Sequence, residues 1–314
     1  MESVIKALKK LNNAAIFTHV MPDGDAFGSA LSLREVLKDM GKDADVYISD
    51  NVPKRLLFMS EDYLTSFTDK GYDTLISLDA GDLKRLSEYG EIFKNHQNTI
   101  SIDHHKTNSL FAKINYVVPE ASSTGEVLYD IFKKMGAKIS KKTAEHLYCA
   151  IASDTGCFKF SSTGEKGHLI AADLIKKGID FAELNRLLFD TEEVVSYKLK
   201  GYAMNKAELH LGGKVSTVSI TKEDLKMLGA DFEHTEGLSD VTRVIEGVEV
   251  GIVLKEKDDL VKVSIRTNRY VDATVLASTF GGGGHIRASG CVSDLSIEET
   301  KQKLIKKAQE LIKE

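Results

Sequence analysis

The chain has 314 residues, 42% hydrophobic and 28% charged, with only 3 prolines, a composition that predicts a soluble globular protein of two ordinary domains. Its net charge of −5 argues against a groove for long duplex nucleic acid, although a local basic pocket for a short phosphorylated ligand is compatible with it. The 3 cysteines form no C-x-x-C pair, and neither an apolar leader nor a membrane-length apolar run is found, so we expect reduced thiols and a cytoplasmic location.

The first informative stretch joins a predicted strand, Ala14 to Phe17, to a helix from about Ala26 to Met40. The loop between them carries His19, Asp23 and Asp25. Alternate side chains of an extended loop diverge by about 7 Å, so the two aspartates would suit two neighbouring cations better than one. Backbone N–H groups at the helix start also favour an anionic ligand. The alternative is an ordinary Pro-Asp-Gly turn with an N-cap aspartate.

A strand from Ala44 to Ile48 is predicted next, and a further apolar run, Thr74 to Leu78, ends at Asp79. Asp82 is placed to cap a helix from Leu83 to Tyr89. Asp79 is therefore a second acid delivered by the end of a strand, although an N-cap role is the common alternative. Arg85, one turn into the helix, either reaches back toward a phosphate or is a solvated surface arginine.

A third apolar run, Asn98 to Ile102, ends at Asp103, His104 and His105. A buried parallel strand delivers ligands to the carboxyl edge of its sheet in this way, whereas a polar loop is the alternative. Helices are predicted from Ser123 to Met135, capped by Ser122 or Ser123, and from Lys141 to Ala152. Asp154 then emerges at the negative end of the second helix dipole, which is unfavourable unless a cation compensates.

These segments together supply imidazoles and carboxylates without cysteine: His19, Asp23, Asp25, Asp79, Asp103, His104, His105 and Asp154. Such a mixed set suits Mn²⁺ or another borderline divalent ion. Two ions about 3.5–4 Å apart, bridged by one carboxylate, would generate a hydroxide and clamp the oxygens of a phosphoryl group.

Four blocks, Thr18 to Asp25, Leu78-Asp79, Asp103 to His105 and Ser153 to Gly156, resemble in order and spacing the four motifs of the DHH phosphoesterase superfamily. The resemblance implies two Mn²⁺ ions per subunit, one held by His19, Asp23 and Asp79 and the other by Asp25, Asp79, His104 and Asp154. Asp79 would bridge both ions. His105 would approach the scissile phosphate as electrophile or proton donor, and Asp103 would orient a histidine.

The remaining strands are predicted at Leu209 to Leu211, Val215 to Ile220, Val248 to Glu256 and Leu260 to Arg266, with a closing helix from Ile297 to Lys313. Turns at Gly212-Gly213 and Lys257 to Asp259 predict two hairpins. The four glycines from Gly281 to Gly284 lack the ending of a phosphate-binding P-loop. They are either a flexible loop or a place where the backbone approaches a phosphate. In the second case His285, Arg266 and Arg287 would supply positive charge. The stretch resembles the DHHA1 domain, whose Gly-Gly-Gly-His block binds the far end of a nucleotide substrate, which implies substrate contacts by Gly282, Gly283, Gly284 and His285.

We therefore predict an α/β fold with two domains and a cleft between them. The first, residues 1–189, is a doubly wound, mostly parallel DHH domain; a helical connector spans 190–207, and a smaller DHHA1 domain with a mixed sheet spans 208–314.

A compact two-domain chain of this size resembles the stand-alone NrnA-type branch. The resemblance implies a homodimeric phosphoesterase. Its substrates would be RNA of two to five nucleotides, linear dinucleotides such as pApA, and 3′-phosphoadenosine 5′-phosphate. A cyclic-dinucleotide (c-di-AMP) phosphodiesterase is the alternative enzyme. A non-catalytic nucleotide- or RNA-binding module is the alternative of another class.

Overall fold

A computed structural model describes residues 1–312, and the chain divides into two compact units, residues 1–191 and the remainder from residue 192. The first unit contains strands β1 to β5, in order Asn13–Phe17, Asp43–Tyr47, Thr74–Leu78, Thr99–Asp103 and Ile114–Val117. Its helices α1 to α7 are Glu2–Lys10, Gly24–Asp39, Tyr89–Asn95, Thr124–Met135, Lys141–Asp154, Glu165–Ile175 and Phe181–Phe189. Short 3-10 helices lie at Lys54–Leu56 and Leu83–Leu86.

The sheet of the first unit is parallel throughout, with strand order β2-β1-β3-β4-β5. Strands β3 and β4 are buried along their whole length, which explains their continuous apolar runs. One face packs against an aliphatic core shared with α1, α2, α4 and α5, while the other face meets an aromatic cluster that includes α3. The predicted doubly wound α/β arrangement is confirmed.

Close packing of α5 against α2 and α4 depends on glycines. A Cβ added to Gly24 would lie 2.6 Å from the Cβ of Ser153, and one added to Gly28 would lie 2.6 Å from the carbonyl oxygen of His146. A Cβ on Gly125 would lie 2.6 Å from that of Ala150. Because real Cβ atoms do not approach so closely, only glycine lets these three helix segments meet.

The second unit contains strands β6 to β11: Glu208–His210, Val215–Ile220, Val250–Lys257, Leu260–Thr267, Gly283–His285 and Ala288–Ser293. Its helices α8 to α12 are Val194–Asn205, Lys222–Leu228, Ser239–Arg243, Ala273–Ala277 and Ile297–Leu311, with 3-10 helices at Phe232–Thr235 and Ser278–Phe280. The strand order is β10-β11-β9-β8-β7-β6. Only the β7–β8 pair is parallel, so the predicted mixed sheet and both predicted hairpins are confirmed.

Each face of this second sheet has its own core. Val250, Ile252 and Leu254 of β8 pack with Leu304 and Ala308 of α12. Val253, which points to the opposite face, packs with residues of α8, α9 and α10. The alternation along β8 therefore assigns α12 and the α8–α10 group to opposite sides of the sheet.

Three predicted elements differ from the structure. The predicted helix from Leu83 to Tyr89 is wrong, because the chain forms a 3-10 turn that ends at Ser87 with φ +52°, and α3 begins only at Tyr89. The α2 helix begins at Gly24 rather than Ala26, so Asp25 lies in its first turn. The glycine run is not a loop throughout, since Gly283–His285 pairs with β11.

The closing helix ends at Leu311, and Lys313, the predicted end, lies outside the described residues. Among residues 1–312 no helix has both the length and the apolar character needed to cross a membrane.

Candidate active site

The predicted ligands of the first unit come together where β1, β3 and β4 end. The order β2-β1-β3-β4-β5 places a topological switch at β1 and β3, the point where open α/β sheets bind ligands outside their carboxyl ends. The loop after β1 carries His19 and Asp23, β3 is followed by Asp79, and β4 ends at Asp103. The ends of three parallel strands thereby meet at one edge of the sheet.

The loop after β1 positions His19 and Asp23 through one side-chain atom each, so the second polar atom of each side chain is available as a ligand. The Nδ1 of His19 bonds the carbonyl oxygen of Val20 at 2.8 Å, and its Nε2 lies 3.9 Å from Oδ2 of Asp23. Asp23 is the N-cap of α2, because its Oδ1 accepts from the backbone N–H of Asp25 and Ala26 at 3.0 Å. The capping alternative is thus correct for Oδ1 of Asp23, while Oδ2 faces the histidine.

Asp79 lies at the centre of the cluster in an uncommon backbone conformation. Its φ is +56°, in the left-handed region that costs a non-glycine residue roughly 1–2 kcal/mol. The side chain is 2% exposed. Its Oδ2 lies 3.8 Å from Nε2 of His19, and its Oδ1 lies 3.6 Å from Nε2 of His104. The two oxygens of one carboxylate therefore face two different histidines.

Asp25 is fully buried beneath the start of α4. Its Oδ2 accepts from the backbone N–H of Thr124 at 2.6 Å, and its Oδ1 accepts from Gly125 at 2.9 Å and from the Ser29 hydroxyl at 3.1 Å. The first-turn amides and the positive end of the helix dipole both stabilise a carboxylate at this position.

The two histidines of the Asp103-His104-His105 triplet have different hydrogen-bond partners. Asp103 Oδ1 accepts from Nδ1 of His105 at 2.7 Å, and its Oδ2 accepts from the amide of Asn108 at 2.6 Å. Nδ1 of His104 bonds instead to the carbonyl oxygen of Ala121 at 3.2 Å. Asp103 therefore orients His105, while a backbone carbonyl orients His104.

Asp154 is the last residue of α5, and its Oδ2 lies 3.2 Å from Nε2 of His104. Oδ2 of Asp25 lies 3.8 Å from the same nitrogen. The carboxylate at the unfavourable end of the helix dipole is thus directed at the same point as a histidine and a second carboxylate.

The carboxylates and imidazoles of this cluster shift one another's pKa values. Burial and the neighbouring Asp79 raise the pKa of Asp25 well above its usual range, and burial with the charge of Asp23 raises the pKa of Asp79 to about 6. Burial lowers the pKa of His104, but its bond to Asp154 and the nearby Asp79 and Asp25 outweigh that effect and raise it. Burial also lowers the pKa of His105, but the hydrogen bond to Asp103 and the charges of Asp79 and Asp103 together outweigh it, so the pKa of His105 is raised. A bound cation would reduce the repulsion between these buried carboxylates and favour their charged forms.

The donor set fits divalent metal ions. Three groups have ligand atoms that all lie within 4.8 Å of one another: His19, Asp23 and Asp79; Asp25, His104 and Asp154; and Asp79, His104 and His105. Imidazole and carboxylate donors without thiolate suit borderline divalent ions. The cluster could therefore hold metal ions, and Asp79 belongs to two of its three groups.

Sequence reasoning missed two side chains that support this site. The Thr124 hydroxyl donates to Oδ1 of Asp79 at 2.8 Å, in addition to the backbone bond from Thr124 to Asp25. Asn108 donates to Asp103 and to the carbonyl oxygen of Ala80. The only sequence signal was the Ser-Ser-Thr-Gly start of α4, which reads as a simple cap; Ser123 is indeed that cap.

The other predicted site residues are described within their own units. Arg85 is exposed, and its carbonyl oxygen accepts from the backbone of Val20. In the second unit His285 is exposed on β10, and Arg266 lies on β9 opposite Ala288. His146, which lies outside the four motifs, is buried, and its Nε2 lies 3.3 Å from the carbonyl oxygen of Met59.

Arg287 is engaged with the backbone of the loop that follows β9. Its guanidinium donates to the carbonyl oxygens of Val271, at 2.9 Å, and Arg269. The buried carboxylate of Glu249 accepts from the backbone N–H groups of Arg269, Tyr270 and Val271. The two side chains fix the loop between β9 and α11, and a substrate contact by Arg287 stays a prediction.

Two glycines of the β10–β11 hairpin have packing reasons. A Cβ on Gly282 would overlap the carbonyl oxygen of Gly290 and the Cβ of Cys291. Gly284 has φ +142°, and a Cβ there would lie 2.6 Å from the carbonyl oxygen of Ala288. Gly283, in contrast, has nothing within 4 Å of the same position.

Comparisons with known proteins agree with these motifs. The family model described as "DHH family, N-terminal domain" matches residues 13–151, and that of the DHHA1 domain matches residues 218–314. A bifunctional oligoribonuclease and PAP phosphatase NrnA of Thermus thermophilus is 31% identical over 99% of this chain and 94% of its own length. The protein of the same name from Bacillus subtilis is 29% identical over 91% of each chain.

A solved structure from Bacteroides fragilis, described as an exopolyphosphatase-related protein, matches with a TM-score of 0.93 at 29% identity. The match covers 98% of this chain and 95% of that one. Both domain matches and the near-complete coverage lead to one assignment: the chain belongs to the DHH/DHHA1 phosphoesterase superfamily of hydrolases, in its NrnA-type branch.

Proposed function

We propose that this chain is a divalent-metal-dependent phosphoesterase that hydrolyses short nucleotide substrates to mononucleotides. The substrates would be oligoribonucleotides of a few residues, linear dinucleotides such as pApA, and 3′-phosphoadenosine 5′-phosphate. The observation that carries the proposal is the position of Asp79, whose two oxygens face His19 on one side and His104 on the other.

The metal centre we propose has two ions, Mn²⁺ being the best match to the donors. His19, Asp23 and Asp79 would hold one ion; the other would be held by four side chains: Asp25, Asp79, His104 and Asp154. When bound, such a pair would supply an activated water and stabilise negative charge on the phosphoryl oxygens. Two imidazoles with Nδ1 already bonded to backbone carbonyls present Nε2 as their ligand atom.

His105 is the residue we assign to proton transfer. Asp103 holds its Nδ1 at 2.7 Å and raises its pKa despite burial, so a protonated ring persists to higher pH. The side chain is 26% exposed, more than that of any other histidine in the cluster. An imidazolium in this position can donate to the phosphoryl or leaving-group oxygen and stabilise its developing charge.

The second unit would bind the part of the substrate that does not react. Its proposed contacts are Arg266, Gly282, Gly283, Gly284, His285 and Arg287, and Arg85 of the first unit would contribute charge. Gly283 has no side chain, and nothing lies within 4 Å of its Cβ position, so a phosphate could approach the backbone there. The homodimer stays a prediction, and sedimentation velocity of the full chain would check it.

The test is side-by-side turnover of 3′-phosphoadenosine 5′-phosphate, pApA and c-di-AMP by the full chain in Mn²⁺ buffer, with product chromatography. We expect the first two to yield mononucleotides and a chelator to abolish both reactions. Preferred turnover of c-di-AMP would support the alternative enzyme. No turnover of any short substrate would leave the non-catalytic binding module as the better assignment.

A further inference from the structure

The second unit carries a lysine cluster, which we define as Lys255, Lys257 and Lys262. Their Nζ atoms lie 5.6, 5.0 and 5.4 Å from the centroid of one aromatic ring, that of Phe232. Lys255 of β8 lies directly opposite Lys262 of β9 in the antiparallel pair. Lys257 follows two positions after Lys255 and so shares its face of the sheet.

Three like charges in this arrangement oppose folding. Like charges that face each other across an antiparallel pair are destabilising. Within residues 1–312 none of the three lysines forms an ion pair with an acidic side chain, and Glu256, which alternates with them, accepts instead from the backbone of Lys222 at 3.0 Å. Burial, Lys262 and Arg266 lower the pKa of Lys255 to about 8, against the opposing charge of Glu236.

Packing of lysine stems on an aromatic ring is the simplest reason for such an arrangement. One cation over the ring of Phe232 would satisfy that reason, since its interaction is worth about 0.5–1 kcal/mol at an exposed site. A second and a third cation add repulsion without adding a second ring. The excess positive charge is better explained by an anionic ligand with more than one negative group.

The lysine cluster continues into a residue of the proposed substrate site. Along β9, Lys262, Ser264 and Arg266 point to the same face, which separates the first and last Cα atoms by about 13 Å. The Arg266 guanidinium donates to its neighbouring carbonyl, that of Ile265, and has no ion pair in the described part of the chain. Cations therefore follow one strand face at intervals, as a ligand with regularly spaced phosphates requires.

We propose that the lysine cluster binds successive backbone phosphates of a single-stranded oligoribonucleotide beyond the nucleotide that meets Arg266. This inference rests on the proposed function and specifies its substrate as a chain of several nucleotides. A nucleoside bisphosphate, whose phosphates are both attached to one ribose, lacks the length to occupy the cluster and Arg266 together. The cluster would thus favour longer substrates over 3′-phosphoadenosine 5′-phosphate.

The experiment measures binding without catalysis. Fluorescence anisotropy of a labelled pentaribonucleotide in chelator compares the full-length wild type with Lys255→Gln/Lys262→Gln. The control is Lys306→Gln, an exposed position on α12, which packs on the other side of the sheet. We expect the double variant to raise Kd about tenfold at low salt and to reduce the slope of log affinity against log salt by about 1.4, whereas the control changes neither. An unchanged Kd and slope in the double variant would overturn the proposal.

Two further arms separate the possible sources of the effect. In Mn²⁺ buffer the ratio of kcat/KM for the pentaribonucleotide to that for 3′-phosphoadenosine 5′-phosphate should fall about tenfold in the double variant, and an unchanged ratio would contradict the inference. Inorganic tripolyphosphate presents the same charges without nucleosides. If the substitutions weaken only its binding, the oligoribonucleotide assignment is wrong. A wild type without any turnover would refute the proposed function, while the anisotropy arm would still decide on the cluster.

Discussion

The first unit gathers negative charge in a buried site, whereas the second gathers positive charge along one partly buried strand face. Asp25 and Asp79 are buried within reach of other carboxylates, and burial with mutual repulsion raises both pKa values. Lys255 and Lys262 face each other across two strands, and burial with mutual repulsion lowers the pKa of Lys255. Each unit thus carries like charges whose mutual repulsion shifts their pKa values.

The difference indicates which ligand belongs to which unit. A carboxylate cluster with two backbone-oriented imidazoles is complementary to divalent cations. A cluster of lysines on two paired strands, with an arginine farther along one of them, is complementary to phosphates. The two kinds of charge are those that a metal-dependent phosphoesterase needs for its catalytic ions and for its anionic substrate.

The largest effect is expected from Asp79→Asn, which keeps the shape of the side chain but removes the charge that both metal groups share. We expect kcat/KM on every substrate to fall on the order of 1,000-fold, because the side chain would contact both proposed ions. Asp39→Asn, an exposed aspartate at the end of α2, is the matched control and should retain activity. Retention of more than a tenth of the wild-type rate by Asp79→Asn would break the contrast between the units.

The same substitution has an opposite effect on stability without metal. Removing one of several buried, mutually repelling carboxylates should raise the thermal midpoint of the metal-free chain. Scanning calorimetry in chelator compares Asp79→Asn with the wild type. A lower midpoint for Asp79→Asn would show that the negative charge is compensated within the fold.

In the second unit, Gly282→Ala tests the packing of the glycine run against β11. The new Cβ would overlap Gly290 and Cys291 of the paired strand, so we expect the free energy of unfolding to fall by about 1–3 kcal/mol. Gly283→Ala, where nothing lies within 4 Å, is the control and should change the free energy of unfolding only slightly. Denaturant titration of the full chain measures both, and equal losses would refute the packing reason for Gly282.

The smallest effect is expected from Thr124→Val, which removes the hydroxyl that donates to Asp79. We expect apparent Mn²⁺ affinity to weaken about tenfold, because residues that orient ligands typically contribute that much. Thr124→Ser keeps the hydroxyl and should restore the affinity. If valine and serine give the same affinity, Thr124 does not position Asp79.

The carboxylate cluster of the first unit was largely predictable from sequence, because strand ends are local signals. The runs before Asp79 and Asp103 are apolar and end in acids, and the structure places both side chains at the carboxyl edge of a parallel sheet. Asp154 was identifiable because a carboxylate at a helix C-terminus opposes the dipole. Each of these three predictions depends only on the residues next to the aspartate in the sequence.

The features that escaped prediction depend on contacts between distant segments. The hydroxyl of Thr124 donates to Asp79, which lies 45 positions earlier in the sequence, and no pattern near Thr124 predicts that hydrogen bond. The strand β10 was missed because four glycines have no β propensity, and only pairing with β11 orders three residues of the run. The lysine cluster was likewise invisible, because Phe232 reaches it from a separate segment.

The most direct measurement is the number of Mn²⁺ ions bound by the metal-free full chain, determined by isothermal titration calorimetry for the wild type and for Asp79→Asn. We expect two ions per wild-type chain and weakened binding of both in the variant, because Asp79 faces both groups of ligands. A single ion in the wild type, or two ions bound with unchanged affinity by Asp79→Asn, would contradict a two-metal centre built around Asp79.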